Sequence, residues 1–221
     1  MKKTTGGLIA IAALACSAPA LASDKFQRVE FFGSYGQFES DYGDDFDGIG
    51  GGLRIVGGQR VGLFGDLQAE YIPTEREISG TTTDLDVQNY RAGIGFGLPA
   101  FADIGFLQLK AEYVSLRNEV DFFAASAEGP GMRVTQKDNQ AGYGVHLQVE
   151  QDIAGSFGID ASAGYLDLED FDGSEFTVGL HWVPDNYGFF TQFRWANLGA
   201  KDAGVTDVEF SSLRVGFRVP F

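Results

Sequence analysis

Arg28, Glu30, Arg54, Asp66, Glu70, Arg91, Lys110, Glu112, Glu150, Asp160, Glu175, Arg194, Arg214 and Arg218 share one setting: each belongs to an alternating segment and lies on the parity opposite its apolar residues. Acids and bases occur among them in equal number. Charges in that pattern can do one of two things: neutralise one another as a salt-bridged ladder, or line a path for ions. A second group is purely acidic. Asp-Phe-Asp-Gly occurs twice, at 45–48 and 170–173, with Asp41, Asp44, Asp167 and Glu169 close by. Clustered carboxylates suit hard divalent cations, which makes Asp44, Asp45, Asp47, Asp170 and Asp172 the candidate ligands of a loosely bound Ca2+ or Mg2+. A twelve-residue calcium loop would end on glutamate, and Val56 and His181 stand there instead. The competing reading is a solvated loop tip closed by an Asp-Gly turn. No other cofactor is indicated.

Material for catalysis is thin. There are two histidines, His146 and His181. A symmetric hairpin around 151–156 would set His146 across from Ser162, and a serine nucleophile needs a base at that range in an accessible site. The alternative is a hydrogen-bonded structural histidine, and the chain reads as a non-enzyme.

The elements that position these residues are strands. From position 23 onward, ten segments alternate, one parity apolar and the other polar, charged or glycine, as a strand with two different faces requires. The last is the plainest: Leu213, Val215, Phe217, Val219 and Phe221 against Arg214, Gly216, Arg218 and Pro220. No charged residue falls in any of the ten apolar sets. A lipid-facing Arg or Lys near the bilayer centre costs roughly 2–4 kcal/mol, so a charge-free parity is what a membrane barrel demands. A soluble sandwich would turn its apolar faces inward instead. Closure also pairs every backbone group that lipid cannot. The expected fold is all-β: a closed antiparallel up-and-down transmembrane barrel of about ten strands, with eight as the alternative because Gly50, Gly51 and Gly52 weaken one segment.

Connections alternate in length. The short ones fall near 57–60, 99–104, 151–156 and 184–187; the long ones near 39–48, 73–86, 115–138, 167–174 and 196–207. Most of the net negative charge lies in the five long segments, read as acidic extracellular loops. The third of them carries Val120, Phe122 and Phe123 beside Gly129-Pro130-Gly131, an aromatic patch that suits an extracellular ligand or a lid. Tyr35, Tyr71, Tyr90, Tyr113, Tyr143 and Tyr165 sit on the apolar parity at the long-loop end, as an interfacial girdle would. A symmetric turn at 99–104 would set Tyr90 against Tyr113 and Arg91 against Glu112. The opposite parity also holds Phe32, Phe64, Phe106 and Phe190 together with many glycines, which leaves a plugged interior and a narrow pore both open.

Residues 1–22 form a basic start, an apolar run and Ala20-Leu21-Ala22 before Ser23, a cleavable export signal. The barrel then occupies 23–221. Cys16 is the one cysteine, and it leaves with the signal, so no disulfide is expected. The formal net charge is −15, or −17 once Lys2 and Lys3 are removed, which argues against nucleic acid as a partner. Beyond the signal no apolar run is long enough for a membrane helix.

The strand pattern over the whole mature chain resembles the small outer-membrane β-barrels of Gram-negative bacteria, of the OmpA/OmpX type and their relatives. The resemblance implies a location in the outer membrane with both termini periplasmic. It implies lipid and lipopolysaccharide as surroundings. It also implies that Val215, Phe217, Val219 and Phe221 are the signal read by the outer-membrane assembly machinery. Pro220 departs from that pattern by removing one ladder donor. Ten-stranded outer-membrane proteases use aspartates with a histidine at the outer rim, and Asp-x-His does not occur here.

Overall fold

The computed structural model describes residues 26–40, 46–78, 81–100, 105–124, 132–184, 186–202 and 206–221. They form ten antiparallel strands: β1 (Arg28–Ser40), β2 (Phe46–Gly58), β3 (Gly62–Ile78), β4 (Thr81–Ala100), β5 (Gly105–Ala124), β6 (Met132–Ala154), β7 (Phe157–Leu168), β8 (Phe171–Trp182), β9 (Gly188–Ala200) and β10 (Val208–Pro220). Each pairs with its neighbours in sequence, and β10 pairs with β1 to close the barrel. The glycine-rich β2 is a full strand, so the count is ten. Its Gly50, Gly51 and Gly52 face Ser34, Gly33 and Phe32 of β1. The export signal at 1–22 lies outside the described residues.

The closing seam runs Val29↔Val219, Phe31↔Phe217, Gly33↔Val215 and Tyr35↔Leu213, the pairing expected of a last strand returning to the first. Pro220 stands opposite Arg28 at the end of the ladder. It has no N–H to donate, and the next amide continues the seam: Phe221 N–H donates to Gln27 C=O at 3.1 Å.

Alternation decides which way side chains face. Almost every exposed large hydrophobic belongs to the apolar sets read from the sequence; Ile49, Ile153 and Tyr187 are the additions. The six girdle tyrosines are all exposed. Tyr113 meets Tyr143 at 5.9 Å and Phe176 stacks on Trp195 at 5.7 Å. At the other end Phe157, Trp182, Phe189 and Phe217 touch in series across β7 to β10. Aromatic rings at both edges of an apolar band mark the two water interfaces.

Two expectations about the connections are corrected. Much of what reads as long loop is strand. β3 to β6 contain 17, 20, 20 and 23 residues, whereas β7 to β10 contain 12 or 13. About 9–11 tilted residues cross a bilayer, so β3–β6 run on past the girdle as a projecting sheet. The β7–β8 connection shrinks to Glu169–Asp170. The described parts, 73–78, 81–86, 115–124 and 132–138, lack the continuous apolar parity of a lipid-facing strand because they extend past the girdle, where the outward face no longer meets lipid. Phe122 and Phe123 lie on the β5 backbone, but their side chains, like Gly129–Gly131, are outside the described residues.

The turns also set registers that symmetry does not. Arg91 pairs with Val114 and Gly93 with Glu112, while Tyr90 faces Ser115. In the β6–β7 hairpin a bulge between Asp152 and Ala154 precedes the turn, where Gly155 takes a positive φ of 56°. His146 therefore faces Gly164, and Ser162 faces Gln148.

Candidate functional site: the barrel interior

Inward side chains fill the lumen in tiers. At the short-turn end, Phe26 packs edge-on against Phe64 at 5.5 Å, with Val56 beside them. Above them, Arg28 Nε donates to Glu30 Oε1 at 2.8 Å and Arg218 reaches the same oxygen at 2.8 Å. Arg60, which the sequence placed in a turn, is a member of this tier. Its Nη2 lies 3.3 Å from Glu150 and 3.2 Å from Asp152, and its guanidinium covers the Phe106 ring at 3.8 Å.

The middle tier joins Arg54 to Asp66 by two donors at 2.9 and 2.8 Å, with Lys110 Nζ on the same carboxylate at 3.0 Å. Lys110 also bridges up to Glu112 at 2.7 Å. Asp160 accepts from Gln192 Nε2 at 3.2 Å and lies 3.7 Å from His181 Nδ1.

The upper tier is the densest. Glu175 accepts two donors from Arg91 at 2.8 and 2.7 Å and Arg194 Nε at 2.7 Å. Arg91 Nη1 also donates to Glu112 at 2.8 Å. Arg214 clamps Glu70 with donors at 3.0 and 2.5 Å. Glu175, Arg91 and Arg194 are all buried, and forked guanidinium–carboxylate bonds of this kind hold geometry as well as charge.

The interior is thus a salt-bridged network in which every charged residue named from the sequence takes part. The Arg91–Glu112 contact forms as expected, but diagonally rather than through directly paired backbones. The pairs that cross the lumen, such as Arg214–Glu70 and Arg91–Glu175, have no local sequence signal.

Aromatic rings and glycines complete the filling. Arg28, Arg60, Arg194, Arg214 and Arg218 stand over Phe26, Phe106, Phe210, Phe32 and Phe190 respectively, adding cation–π attraction to the ion pairs. Several inward glycines are slots for rings. A Cβ on Gly95 would fall 2.3 Å from the Phe64 ring and 2.7 Å from Leu109 C=O, and one on Gly164 would fall 2.1 Å from His146. Gly95→Ala is expected to destabilise the barrel by about 1–3 kcal/mol, as overpacking does, because backbone on one side leaves the ring nowhere to retreat. A shift in the denaturant midpoint of the refolded protein reports it. No shift would mean that Phe64 is not seated there.

Between the middle and upper tiers is a polar gap of about 30 Å3 lined by Arg54, Lys110, His146, Gln148 and others, large enough for only one or two waters. Above the upper tier the lumen changes character. Val114, Leu116, Leu166, Leu168, Leu198 and Phe171 form an apolar cluster, and Phe38 packs on Phe210 at 4.6 Å. Sequence reading missed this inner apolar ring because it lies beyond the lipid-facing band, where the parity rule no longer separates lipid from lumen.

Among the described residues, the candidate metal ligands Asp47, Asp170 and Asp172 are not brought together. Asp170 accepts from Gln140 Nε2 at 2.6 Å, over the barrel mouth. Asp172 is bonded to the Tyr165 hydroxyl on the outer side, and Asp47 accepts from the Tyr35 hydroxyl at 3.2 Å. Asp44 and Asp45 lie outside the described residues. Among the described residues, the acidic and imidazole groups that do converge are Glu112, His146 and Glu175. Arg91, Arg194 and Lys110 already occupy those carboxylates, so a divalent ion would meet three cations, and the set does not fit one. Ser162 shares a 2.7 Å hydrogen bond with Thr177 rather than approaching His146, whose Nε2 lies 3.0 Å from Glu112. Among the described residues, no serine–histidine pair forms.

Comparison with known proteins agrees with the architecture. A search of curated protein sequences gives no significant match. Among solved structures, the chain is similar to the outer membrane protease OmpT from Escherichia coli (10% identity, TM-score 0.52, 88% of this chain and 95% of that one). It is similar also to the translocator domain of the autotransporter NalP from Neisseria meningitidis (12% identity, TM-score 0.51, 97% of this chain and 93% of that one). A third is the β domain of the Bordetella autotransporter BrkA (10% identity, TM-score 0.50, 88% and 100%). At such identities the common property is the fold. A family model described as the outer membrane protein beta-barrel domain matches residues 8–183. With that match over most of its length, and with its closed ten-stranded barrel, the chain belongs to the outer membrane protein beta-barrel family.

Proposed function

We propose that the protein is a plugged, non-catalytic barrel that acts at the surface of a Gram-negative outer membrane, both termini periplasmic and the β3–β6 sheet projecting outward as a surface for an extracellular ligand. One observation carries the reading: the three-way clasp of Arg91, Glu175 and Arg194 across the lumen, at hydrogen-bond distances of 2.6–2.8 Å. A conducting path would have to part these buried pairs, and breaking one leaves an uncompensated buried charge. The projecting strands are acidic, with Asp84, Asp86, Glu119 and Asp121 on paired segments. This suits a cationic surface or lipopolysaccharide bridged through divalent ions. Val215, Phe217, Val219 and Phe221 present exposed side chains along the closing strand, the signal that the assembly machinery would read during insertion.

Planar-bilayer recording of the refolded protein tests the plug. The expected result is no unitary current steps in the wild-type protein and the appearance of steps, or of noisy openings, in Arg91→Ala. Clear wild-type steps would establish the alternative, a narrow pore for ions or small solutes.

A further inference from the structure

We infer that the outer half of the lumen binds a small, mostly apolar molecule, about the size of one ring or six to eight carbons, that carries one hydrogen-bond acceptor. The inference rests on the plugged reading, because the charged network is the floor of the site.

A cavity of about 140 Å3 lies just inside the tyrosine girdle, walled by Ile72, Val87, Leu166, Leu198 and Phe210. Glu70 and Arg194 close it below. Gln140 spans its outer side, donating to Asp138 at 3.0 Å and Asp170 at 2.6 Å and accepting from the Asp170 amide at 3.0 Å. A void of this size lined by Leu, Ile and Phe does not hold water well and admits a benzene-sized guest. A whole lipid, or even a long acyl chain, is too large for it.

Asn118, Asp138 and Gln140 are the polar members of its outer side; among the apolar walls below them a further polar residue, Asn89, gives the guest its polarity. Asn89 is 3% exposed and lines the cavity. Its Oδ1 accepts from Arg91 Nε at 3.3 Å, which anchors the amide to the network. Its Nδ2 is buried without a hydrogen-bond partner. Buried donors are rarely left unmade, and a donor held by its other end against an apolar cavity is what a carbonyl, ether or hydroxyl oxygen on an otherwise greasy molecule would satisfy. The neighbouring Ser212 and Ser34 hydroxyls are likewise buried and unpartnered but do not line this cavity.

Titration of the full-length mature protein in phosphatidylcholine nanodiscs with fluorotoluene and fluoroacetophenone, followed by fluorine NMR, tests the site. Both probes partition into lipid, so the informative quantity is the saturable component relative to cavity-filled variants. Leu198→Trp and Ala196→Phe both fill the space, and two are used in case one fails to refold. The expected result is saturable binding of both probes to the wild-type protein, with fluoroacetophenone tighter by on the order of tenfold, and loss of the saturable component in the filled variants. Asn89→Leu is expected to keep fluorotoluene and to erase the preference for the ketone. Partition identical in wild-type and filled variants would overturn the site. A preference that survives Asn89→Leu would overturn the assignment of its donor. Bilayer conductance separates this from the plug: absence of current steps together with absence of saturable binding would overturn the site and leave the plugged reading standing.

Discussion

Replacing Glu175 with alanine is expected to lower the stability of the folded barrel by about 3–5 kcal/mol, the cost of breaking a buried ion pair by removing one partner. The carboxylate is shared by Arg91 and Arg194, and all three side chains are at most 6% exposed. Its loss leaves two guanidiniums facing each other with only Glu112 and Glu70 near enough to compensate. Guanidinium-chloride unfolding of the protein refolded into vesicles would read this as a lower midpoint at nearly unchanged slope. The double variant Glu175→Ala with Arg194→Met is expected to recover part of the loss, since replacing a buried ion pair with apolar groups is often neutral. A loss under about 1 kcal/mol in the single variant would mean that water screens this tier, contrary to a sealed lumen.

The second large effect is on the outside. Leu147→Arg is expected to cost about 2–4 kcal/mol and to reduce the folded yield in vesicles, read by the heat-modifiable shift on a gel. Leu147 is half exposed and pairs with Leu109 and Ala163 on the flanking strands, four residues from Tyr143 and so within the apolar band. The matched control is its inward neighbour. Gln148 lines the polar gap with Arg54, Lys110 and Arg91, where Gln148→Glu adds an acid among cations and is expected to be mild. Equal damage at both positions would place the lipid boundary elsewhere.

Much of this was legible in the sequence because a strand in a membrane obeys two strict rules: its outward parity carries no charge, and its closed ladder leaves no edge. Those rules identified the ten strands, the side of each that meets lipid, the girdle tyrosines and the seam of Val29–Tyr35 with Leu213–Val219. Where the rules lapse, the reading failed. Beyond the girdle the outward face of a strand no longer meets lipid and need not be apolar, so β3–β6 looked like loops. In the hairpins, a one-residue change in turn position slides pairing by two, so Tyr90 was set against Tyr113 and His146 against Ser162. Arg60 looked like turn filler because no parity applies between strands.

Alternation along the chain, then, was enough to determine membrane, barrel and facing, since each follows from the local two-residue period of a strand and the cost of charge in lipid, while the choice of ten strands over eight waited for the structure. What only the tertiary structure decided is how the lumen is occupied. Which acid holds which arginine across the barrel, as with Arg214 and Glu70, depends on turn lengths and on the stagger of all ten strands together. The same is true of the apolar cavity and the unpaired amide of Asn89, whose walls come from strands scattered along the chain and meet only when the sheet closes.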